Sequence, residues 1–489
     1  MNLAEILNSV KVLQVTGQPE RKEIEKLILD SRAVEPNSLF FAISGFKMDG
    51  HKFIESAINK GAIAVVLENN EVLPDEYFRV NGVVKILVED SRQALAEMSA
   101  AFYGLPSEKL IMIGVTGTKG KTTTTFCLKH LLKSVYGSAG LLGTITNSVG
   151  DTEYKSKLTT PQSHEINSFL RSMVNKGIKH CAMEVSSHGL ALKRVHKLRF
   201  NVGVFMNLTS DHMDYHETAE NYLKSKKILF DMLDENSFAV FNLDDPNGEN
   251  IVADTKAKKV SFGKFESADF RISKIEYDIT GTRFCIIYKD SEFKVSTKLI
   301  GEFNAYNLTA AFACGVLLGV EPTKVAKVIS GVPQIPGRME VINRDDKYVL
   351  VDYSHTSDSL KQALGALQHI VHGERPIYTV FGCGGDRDKT KRPVMGKIAT
   401  EMSDYAILTS DNPRTEDPLE IIEDVKKGIG VDTYSVNADR EEAIKSAVLE
   451  SPGNAVVLIA GKGHEDYQEV NGVRTHFSDK EIVEKYLHA

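Results

Sequence analysis

The chain has 489 residues, 42% of them hydrophobic and 26% charged, the mixture of a globular protein that buries several cores, and at ~150 residues per domain it suggests about three domains. Lys and Arg total 59 against 66 Asp and Glu, a net charge of −7, which excludes an overall basic footprint for nucleic acid or anionic lipid. The cysteines (Cys127, Cys181, Cys285, Cys314 and Cys383) are far apart with no C-x-x-C spacing, so no disulfide framework or structural zinc is expected and a reducing cytoplasm fits.

From the N-terminus, MNLAEILNSVKVLQ carries an early Glu5 and no continuous apolar stretch, so no secretory signal is expected. The apolar run from Leu308 to Val320 is too short to span a bilayer. LFFAISG (Leu39–Gly45) and AIAVVLE (Ala62–Glu68) read as short buried strands. SRQALAEMSAAFYG follows with helical spacing, Ser91 as N-cap and Gly104 as stop. KLIMIGV (Lys109–Val115) is a buried strand, and TTTTFCLKHLLKSVYG beyond it a helix with Phe126, Leu131, Leu132 and Val135 on one face.

Thr160 and Pro161 suit the N-cap and first position of a further helix, with Ile166, Phe169, Leu170, Met173 and Val174 at helical spacing. Gly177 ends it before the strand IKHCAMEV. From Pro336 the alternation repeats: KYVLVDY, a helix from Leu360 to Ile370, PIYTVFG, a helix from Val394 to Met402, YAILTS and AVVLIAG. Strand, helix, strand in that order argues for mainly parallel sheets covered by helices, with ligands at the carboxyl ends of the strands. The fold class expected is α/β in three domains, 1–88, 89–336 and 337–489.

Gly117-Thr118-Lys119-Gly120-Lys121-Thr122-Thr123 lies between strand and helix, the context of a phosphate loop. Glycines at 117 and 120 let backbone N–H groups turn toward an anion at a helix N-terminus. Lys121 would neutralise β/γ-phosphate charge and Thr122 would ligate Mg²⁺. The general pattern places Gly where this chain has Val115.

Other clusters accompany the loop. Glu184 ends a strand before Ser186, Ser187 and His188, where its carboxylate could reach a metal. NLTSDHMDYH supplies Asp211, His212, Asp214 and His216 after the strand VGVFMN. Gly382-Cys383-Gly384-Gly385-Asp386-Arg387-Asp388-Lys389 is a glycine-rich charged turn suited to an anionic or zwitterionic ligand.

Taken together, GTKGKTT, LTTP, AMEVSSHGL, NLTSDHMDYH, GEFNAYN, PGRMEV, VDYSHT, FGCGGDRDKTKRP, SDNPR and AGKGHEDYQ occur in the order seen in the Mur ligases. The chain resembles that family over essentially its whole length, most specifically the branch adding the third residue of the peptidoglycan stem peptide. The resemblance implies an N-terminal domain for the UDP end of the substrate, a central P-loop ATPase domain and a C-terminal Rossmann-like domain that binds the amino acid. It implies ATP-dependent amide formation on UDP-N-acetylmuramoyl-L-Ala-D-Glu through an acyl phosphate, by a cytoplasmic monomer that engages no nucleic acid and no membrane.

Residue by residue, the resemblance assigns Lys121, Glu184, His212 and Lys226 to catalysis. Thr122, Glu184, His212 and a carbamylated Lys226 would hold Mg²⁺. By its own surroundings, between Lys224 and Lys227, Lys226 reads as a solvated helix residue. The resemblance gives ATP the loop residues together with Asn304, Asn307, Arg338, Asp352 and His355. Ser354 and Ser357 stand where the family has Ala and Pro. Ser31, Thr159, Thr160, Ser186 and Arg194 match UDP-substrate positions, and Leu192 replaces a common glutamine.

Arg387, Asp411, Asn412, Arg414, Gly461 and Glu465 match amino-acid contacts. Within them, DNPR (Asp411–Arg414) points to meso-diaminopimelate rather than L-lysine, because an arginine fork can bind the second carboxylate bidentately. The alternatives are the same reaction with L-lysine, a folylpolyglutamate synthetase, and a P-loop switch protein without ligase activity.

Overall fold

The computed structural model describes residues 1–45, 48–209 and 213–488, and beyond the backbone nothing is described of 213 and 214. The chain divides into two compact units, 1–270 with 310–320, and 271–309 with 321–489.

In the first unit, apolar runs bounded by Asn, Gly and Lys become the strands Ser38–Phe41 and Ala62–Leu67, at the positions expected. They lie in a sheet ordered Gln14–Thr16, Val84–Leu87, Ala62–Leu67, Ser38–Phe41, Lys26–Ile28. All neighbours are parallel except the first pair. One face packs Leu39, Phe41, Val66 and Ile86 against Leu95 and Met98, the other Phe40 and Val65 against Ile54 and Phe78.

A second sheet runs Lys258–Gly263, Phe238–Asn242, Val202–Phe205, Ile111–Thr116, His180–Glu184, Gly140–Leu142, Thr146–Val149, Thr152–Lys155. The strand leading into the phosphate loop is therefore flanked by parallel neighbours on both sides, with Val115 beside Glu184 and Thr116 beside Phe205. That arrangement delivers the loop, the Glu184 carboxylate and the segment after Phe205 to one end of the sheet, where ligands of parallel sheets bind.

The second unit carries a sheet ordered Glu340–Arg344, Lys347–Asp352, Val456–Ala460, Ile377–Phe381, Tyr405–Leu408, Tyr434–Val436, antiparallel only in its first pair. Leu350, Phe381, Leu408 and Leu458 face the helices Ser357–Val371 and Lys391–Met402 on one side. Val351, Val380 and Ile459 face Ile444, Val448 and Val483 on the other. An antiparallel ribbon, Gly281–Tyr288 with Ser291–Thr297, and the hairpin Tyr467–Val470 with Val473–His476 lie outside the strand–helix alternation read from the sequence.

Local details correct several expectations. Asp90, not Ser91, caps the helix Ser91–Phe102, because Glu68 accepts both the N–H and the hydroxyl of Ser91 at 2.6 Å. Gln162, not Thr160, caps Ser163–Asn175, sharing a capping box with Glu165. The helix Lys121–Tyr136 buries Cys127, Leu128, Leu131 and Leu132, whereas Phe126 and Val135 are only half-buried. The helix expected from Val394 starts at Lys391, with Pro393 in its first turn, where a missing N–H costs nothing.

All five cysteines are buried free thiols. Among the described residues, no helix is long and apolar enough to cross a membrane.

Candidate functional site

The phosphate loop leaves the strand Ile111–Thr116 and enters the helix Lys121–Tyr136 through two positive-φ glycines, Gly117 at 149° and Gly120 at 84°. A side chain at Gly117 would also press on Met206 and Asn207. Val115 is fully buried in the strand, so the turn begins at Gly117 without a glycine further back.

Asn207, which sequence reasoning missed, braces the loop. Its carbonyl oxygens accept from Thr118 N and Lys119 N at 2.9 Å, and its Nδ2 donates to Lys119 O at 3.2 Å. Lys121 Nζ folds over the loop onto Gly117 O and Thr118 O, at 2.8 and 2.9 Å. A cation held there faces the oxygen-rich ligand for which such a loop is built.

Glu184 is fully buried yet provided with donors. Thr122 Oγ1 donates to its Oε2 at 2.9 Å, Thr144 Oγ1 to Oε2 at 3.0 Å, and Thr144 N to Oε1 at 2.8 Å. Thr122 and Glu184 thus stand together, and a hydroxyl beside a carboxylate is a donor pair suited to a hard divalent cation. Among the described residues, no group of three or more His, Cys, Asp or Glu is assembled for a metal. His212 lies outside the described residues.

Lys226 is 1% exposed, contrary to the solvated reading. Its Nζ donates to Gly117 O at 3.0 Å and lies 4.2 Å from the Tyr222 ring centroid. Tyr222, Lys226, Leu229 and Phe230 are the buried residues of the helix Ala219–Asp231. A lysine at i+4 from a buried tyrosine and i−3 from a buried leucine was the available signal. Nearby His216, 4% exposed, meets Ser187 Oγ at 2.9 Å and Ser225 Oγ at 3.3 Å.

Of the residues assigned to the UDP-substrate, four are linked. Thr159 accepts from Thr144 Oγ1 at 3.1 Å, and Thr160 Oγ1 reaches Glu184 O at 2.9 Å and Ser186 Oγ at 3.0 Å. Arg194 Nη1 donates to Thr160 O at 2.9 Å, while its Nε is buried without a partner. Burial depresses the Arg194 guanidinium, with Arg92 adding to the effect. Ser31 is apart from this group, buried at the start of a single helical turn capped by Asp30. Leu192 closes the helix Ser187–Ala191.

In the second unit, Asn304 and Asn307 are buried and bonded to each other at 2.9 Å. Arg338 lies 4.9 Å from the Tyr353 ring, whose other neighbours are His355 and His464. Burial holds His464 neutral, with a pKa lowered to about 3 and the Arg338 charge acting in the same sense. Burial raises the Asp352 carboxyl, opposed by the Ser354 hydroxyl and by Arg338. Ser354 bonds Asp352 directly, and Ser357 begins the helix Ser357–Val371 behind a Thr356 cap.

The glycine-rich turn and DNPR are laced together. Gly385 N donates to Asn412 O at 2.9 Å, Arg414 Nη1 to Gly385 O at 2.8 Å, and Thr415 Oγ1 to Asp386 at 2.7 Å. Side chains at Gly382 and Gly385 would overlap the backbone at Thr409 and Pro413. Arg414 sits at φ 53°, held by backbone bonds to Glu469 and Asn471 of the hairpin. It is half-buried and Arg387 is exposed, so neither is the sealed cation that a fully buried selector requires.

Asp411, Asn412, Gly461 and Glu465 do converge. Asn412 Nδ2 donates to Glu465 Oε2 at 2.9 Å, and a side chain at Gly461, φ 119°, would come into ordinary contact with Asp411 Oδ2. Burial raises the Glu465 carboxyl, and the charge of Asp411 adds to the shift. Sequence reasoning missed Lys462, fully buried among these groups, and the buried Arg440–Asp479 pair at 2.7 Å beneath them.

The family descriptions "Mur ligase family, catalytic domain", "Mur ligase middle domain" and "Mur ligase, glutamate ligase domain" match residues 23–103, 115–315 and 337–463. The chain is 41% identical to UDP-N-acetylmuramoyl-L-alanyl-D-glutamate–2,6-diaminopimelate ligase 1 of Clostridium acetobutylicum, over 100% of this chain and 99% of that protein. It is also 41% identical to the ligase of the same name from Bacteroides fragilis, over 99% of each. A solved structure of UDP-N-acetylmuramoyl-L-alanyl-D-glutamate–2,6-diaminopimelate ligase superposes with a TM-score of 0.70 at 32% identity, covering 100% of this chain and 99% of that one. Matched along nearly its whole length by three domain descriptions in their family order and by full-length relatives, the chain belongs to the Mur ligase family.

Proposed function

We propose that the chain joins meso-diaminopimelate to the D-Glu carboxyl of UDP-N-acetylmuramoyl-L-Ala-D-Glu, with ATP converted to ADP and phosphate. The observation that carries this reading is the interlacing of the glycine-rich turn with DNPR, in which Arg414 holds Gly385 O while Asp411 and Asn412 are buried and Asn412 bonds the half-buried Glu465. A cationic fork next to carboxylates suits an amino acid whose far end is itself a zwitterion.

The substrate carboxylate is a poor acyl donor. Its oxygen attacks the γ-phosphorus of ATP, forming an acyl phosphate as ADP leaves. The amine of the incoming amino acid then adds to the acyl carbon, and the tetrahedral intermediate expels phosphate. Bringing a carboxylate to a polyanion requires positive charge and aimed donors at the meeting point. The loop amides and Lys121 supply both, and Asn207 keeps the loop in shape.

Thr122 and Glu184 are the residues that would hold Mg²⁺, which screens phosphate charge when bound. Carbamylation of Lys226 would turn a buried cation beside Gly117 into an oxygen ligand, and we include it, with His212, in the metal site. Asn304, Asn307, Arg338, Asp352 and His355 complete the ATP assignment, and Ser31, Thr159, Thr160, Ser186 and Arg194 that of the UDP-substrate. The protein would work as a cytoplasmic monomer on these small molecules.

The test is phosphate release from ATP with UDP-N-acetylmuramoyl-L-Ala-D-Glu and either meso-diaminopimelate, L-lysine or no amino acid. Release with meso-diaminopimelate and a tripeptide product of matching mass is expected. Release with L-lysine alone would overturn the amino-acid assignment, and no stimulation by either would overturn the ligase reading.

A further inference from the structure

We propose that Lys462 sets the pH dependence of amino-acid binding by fixing the charge of the pocket: its ammonium offsets one of two carboxylates, Asp411 and Glu465, and leaves the other for the substrate ammonium. The inference rests on the pocket assigned above to meso-diaminopimelate. Its basis is placement. The strand Val456–Ala460 ends at Gly461, and two positive-φ glycines, 461 and 463, turn the chain so that Lys462 points inward, 0% exposed.

Its Nζ stands 3.5 Å from Asp411 Oδ1, 3.6 Å from Glu465 Oε2 and 3.1 Å from Asn412 Oδ1. Asn412 is itself oriented, its Oδ1 accepting from Glu469 N at 2.9 Å and its Nδ2 donating to Glu465. The lysine therefore occupies the space between both acids, where a substrate ammonium alone would be expected if the acids were its only partners. Arg440 is spent on Asp479, both fully buried, and bonds Ser410 O and Ala460 O. Tyr353 Oη approaches Glu465 Oε1 at 3.4 Å, and the Tyr467 ring centroid lies 5.4 Å from the ammonium. Arg338 lies over the Tyr353 ring with His464 beside it, and Arg414 donates to Gly385 O, which leaves Lys462 as the cation within reach of both Asp411 and Glu465.

A buried carboxylate and a half-buried one that share a single ammonium, at 3.5 and 3.6 Å, raise each other's pKa when that cation is removed. Glu465 is already pushed upward by burial and by Asp411, with Lys462 opposing. Without Lys462, Glu465 would take up a proton in the working pH range, and the substrate ammonium would lose one of its partners.

The experiment measures kcat/KM for meso-diaminopimelate against pH, at saturating ATP and UDP-substrate, by phosphate release. For Lys462→Met the acid limb should move up by about one pH unit or more. At pH 7 the value should fall about tenfold, recovering toward the unaltered chain's at alkaline pH, while KM for ATP changes less than about twofold. Lys462→Met with Glu465→Gln restores one negative charge and should lack the shifted limb.

A Lys462→Met profile superimposable on that of the unaltered chain would overturn the proposal. If Lys462→Met does not fold, Glu465→Gln alone decides: with Lys462 kept, the pocket loses its net negative charge, so KM for meso-diaminopimelate should rise about tenfold at pH 7 with KM for ATP within about twofold, and an unchanged KM would overturn the proposal. Failure of the unaltered chain to use meso-diaminopimelate would instead overturn the pocket's assignment, a separable result.

Discussion

Gly143 needs no unusual backbone, and its value lies in the side chain it lacks. A Cβ there would overlap the Glu184 carboxylate, which Thr122 and Thr144 hold from the other directions. Gly143→Ala should displace that carboxylate rather than unfold the protein. We expect kcat to fall about tenfold or more, a loss of about 1.4 kcal/mol in the transition state, with the melting temperature within a few degrees. Phosphate release and a thermal melt check both halves. Arg414→Ala should raise KM for meso-diaminopimelate on the order of 30-fold, about 2 kcal/mol, at the low end for a buried charge because the guanidinium is half-exposed. Steady-state kinetics with each substrate varied would show whether the effect is confined to the amino acid. At this scale the phosphate loop was legible because its residues are contiguous and their chemistry is local. Lys462 and Arg440 were not, since Asp411 and Asp479 lie 51 and 39 residues away from them and only the folded chain brings each pair together. Lys226 was misread for want of attention to helical phase, its neighbours Lys224 and Lys227 being charged but on other faces.

The turn 382–389 is tied to the helices after it by Glu416. That carboxylate accepts from Arg392 Nη1 and Nη2 at 3.0 and 2.9 Å and from Asp386 N at 2.6 Å, and Asp424 shares the nearly sealed guanidinium. The Arg392 bonds lower the Glu416 pKa from 4.5 to about 2. A depressed carboxyl contributes stability that is present above its unfolded pKa and lost as pH falls through the folded value. The contribution should therefore disappear between about pH 4.5 and 2. Glu416→Gln should lower the urea midpoint at pH 7 and make it less sensitive to acid over that window, as urea titrations at pH 7 and pH 3 would show. Among the elements, buried parallel strands were legible as unbroken apolar runs. Caps were harder: Asp90 and Ser91 are both capping types, and the choice was made by Glu68, which lies 23 residues earlier. The ribbon Gly281–Tyr288 with Ser291–Thr297 was missed because the second strand is polar and exposed over most of its length, which leaves the buried run Phe284–Ile286 without a visible partner.

For the whole molecule, the amino-acid residues all fall within the second unit, whereas the phosphate loop and Glu184 fall within the first. Meso-diaminopimelate alone should therefore slow hydrogen exchange in peptides spanning 382–415 and 461–469 and leave those of 1–270 unchanged. At a hundred times its Kd the ligand stabilises the unit by about 2.7 kcal/mol, enough to resolve by mass spectrometry. The three-domain architecture was legible through motif order along the chain, whereas the boundary of the compact units runs through the helix Glu302–Leu317, where no change in composition marks it. The cysteines offer a consequence of a different kind. Cys127 and Cys181 are fully enclosed in the first unit, and Cys383 is 3% exposed in the second, its thiol pushed up to about 12 by burial. A thiol reagent added in timed pulses would mark Cys127 and Cys181 as the first unit opens and Cys383 as the second does. The native sequence thus carries its own pair of stopwatches, and comparing their rates with and without ATP would time the opening of either unit without introducing a label.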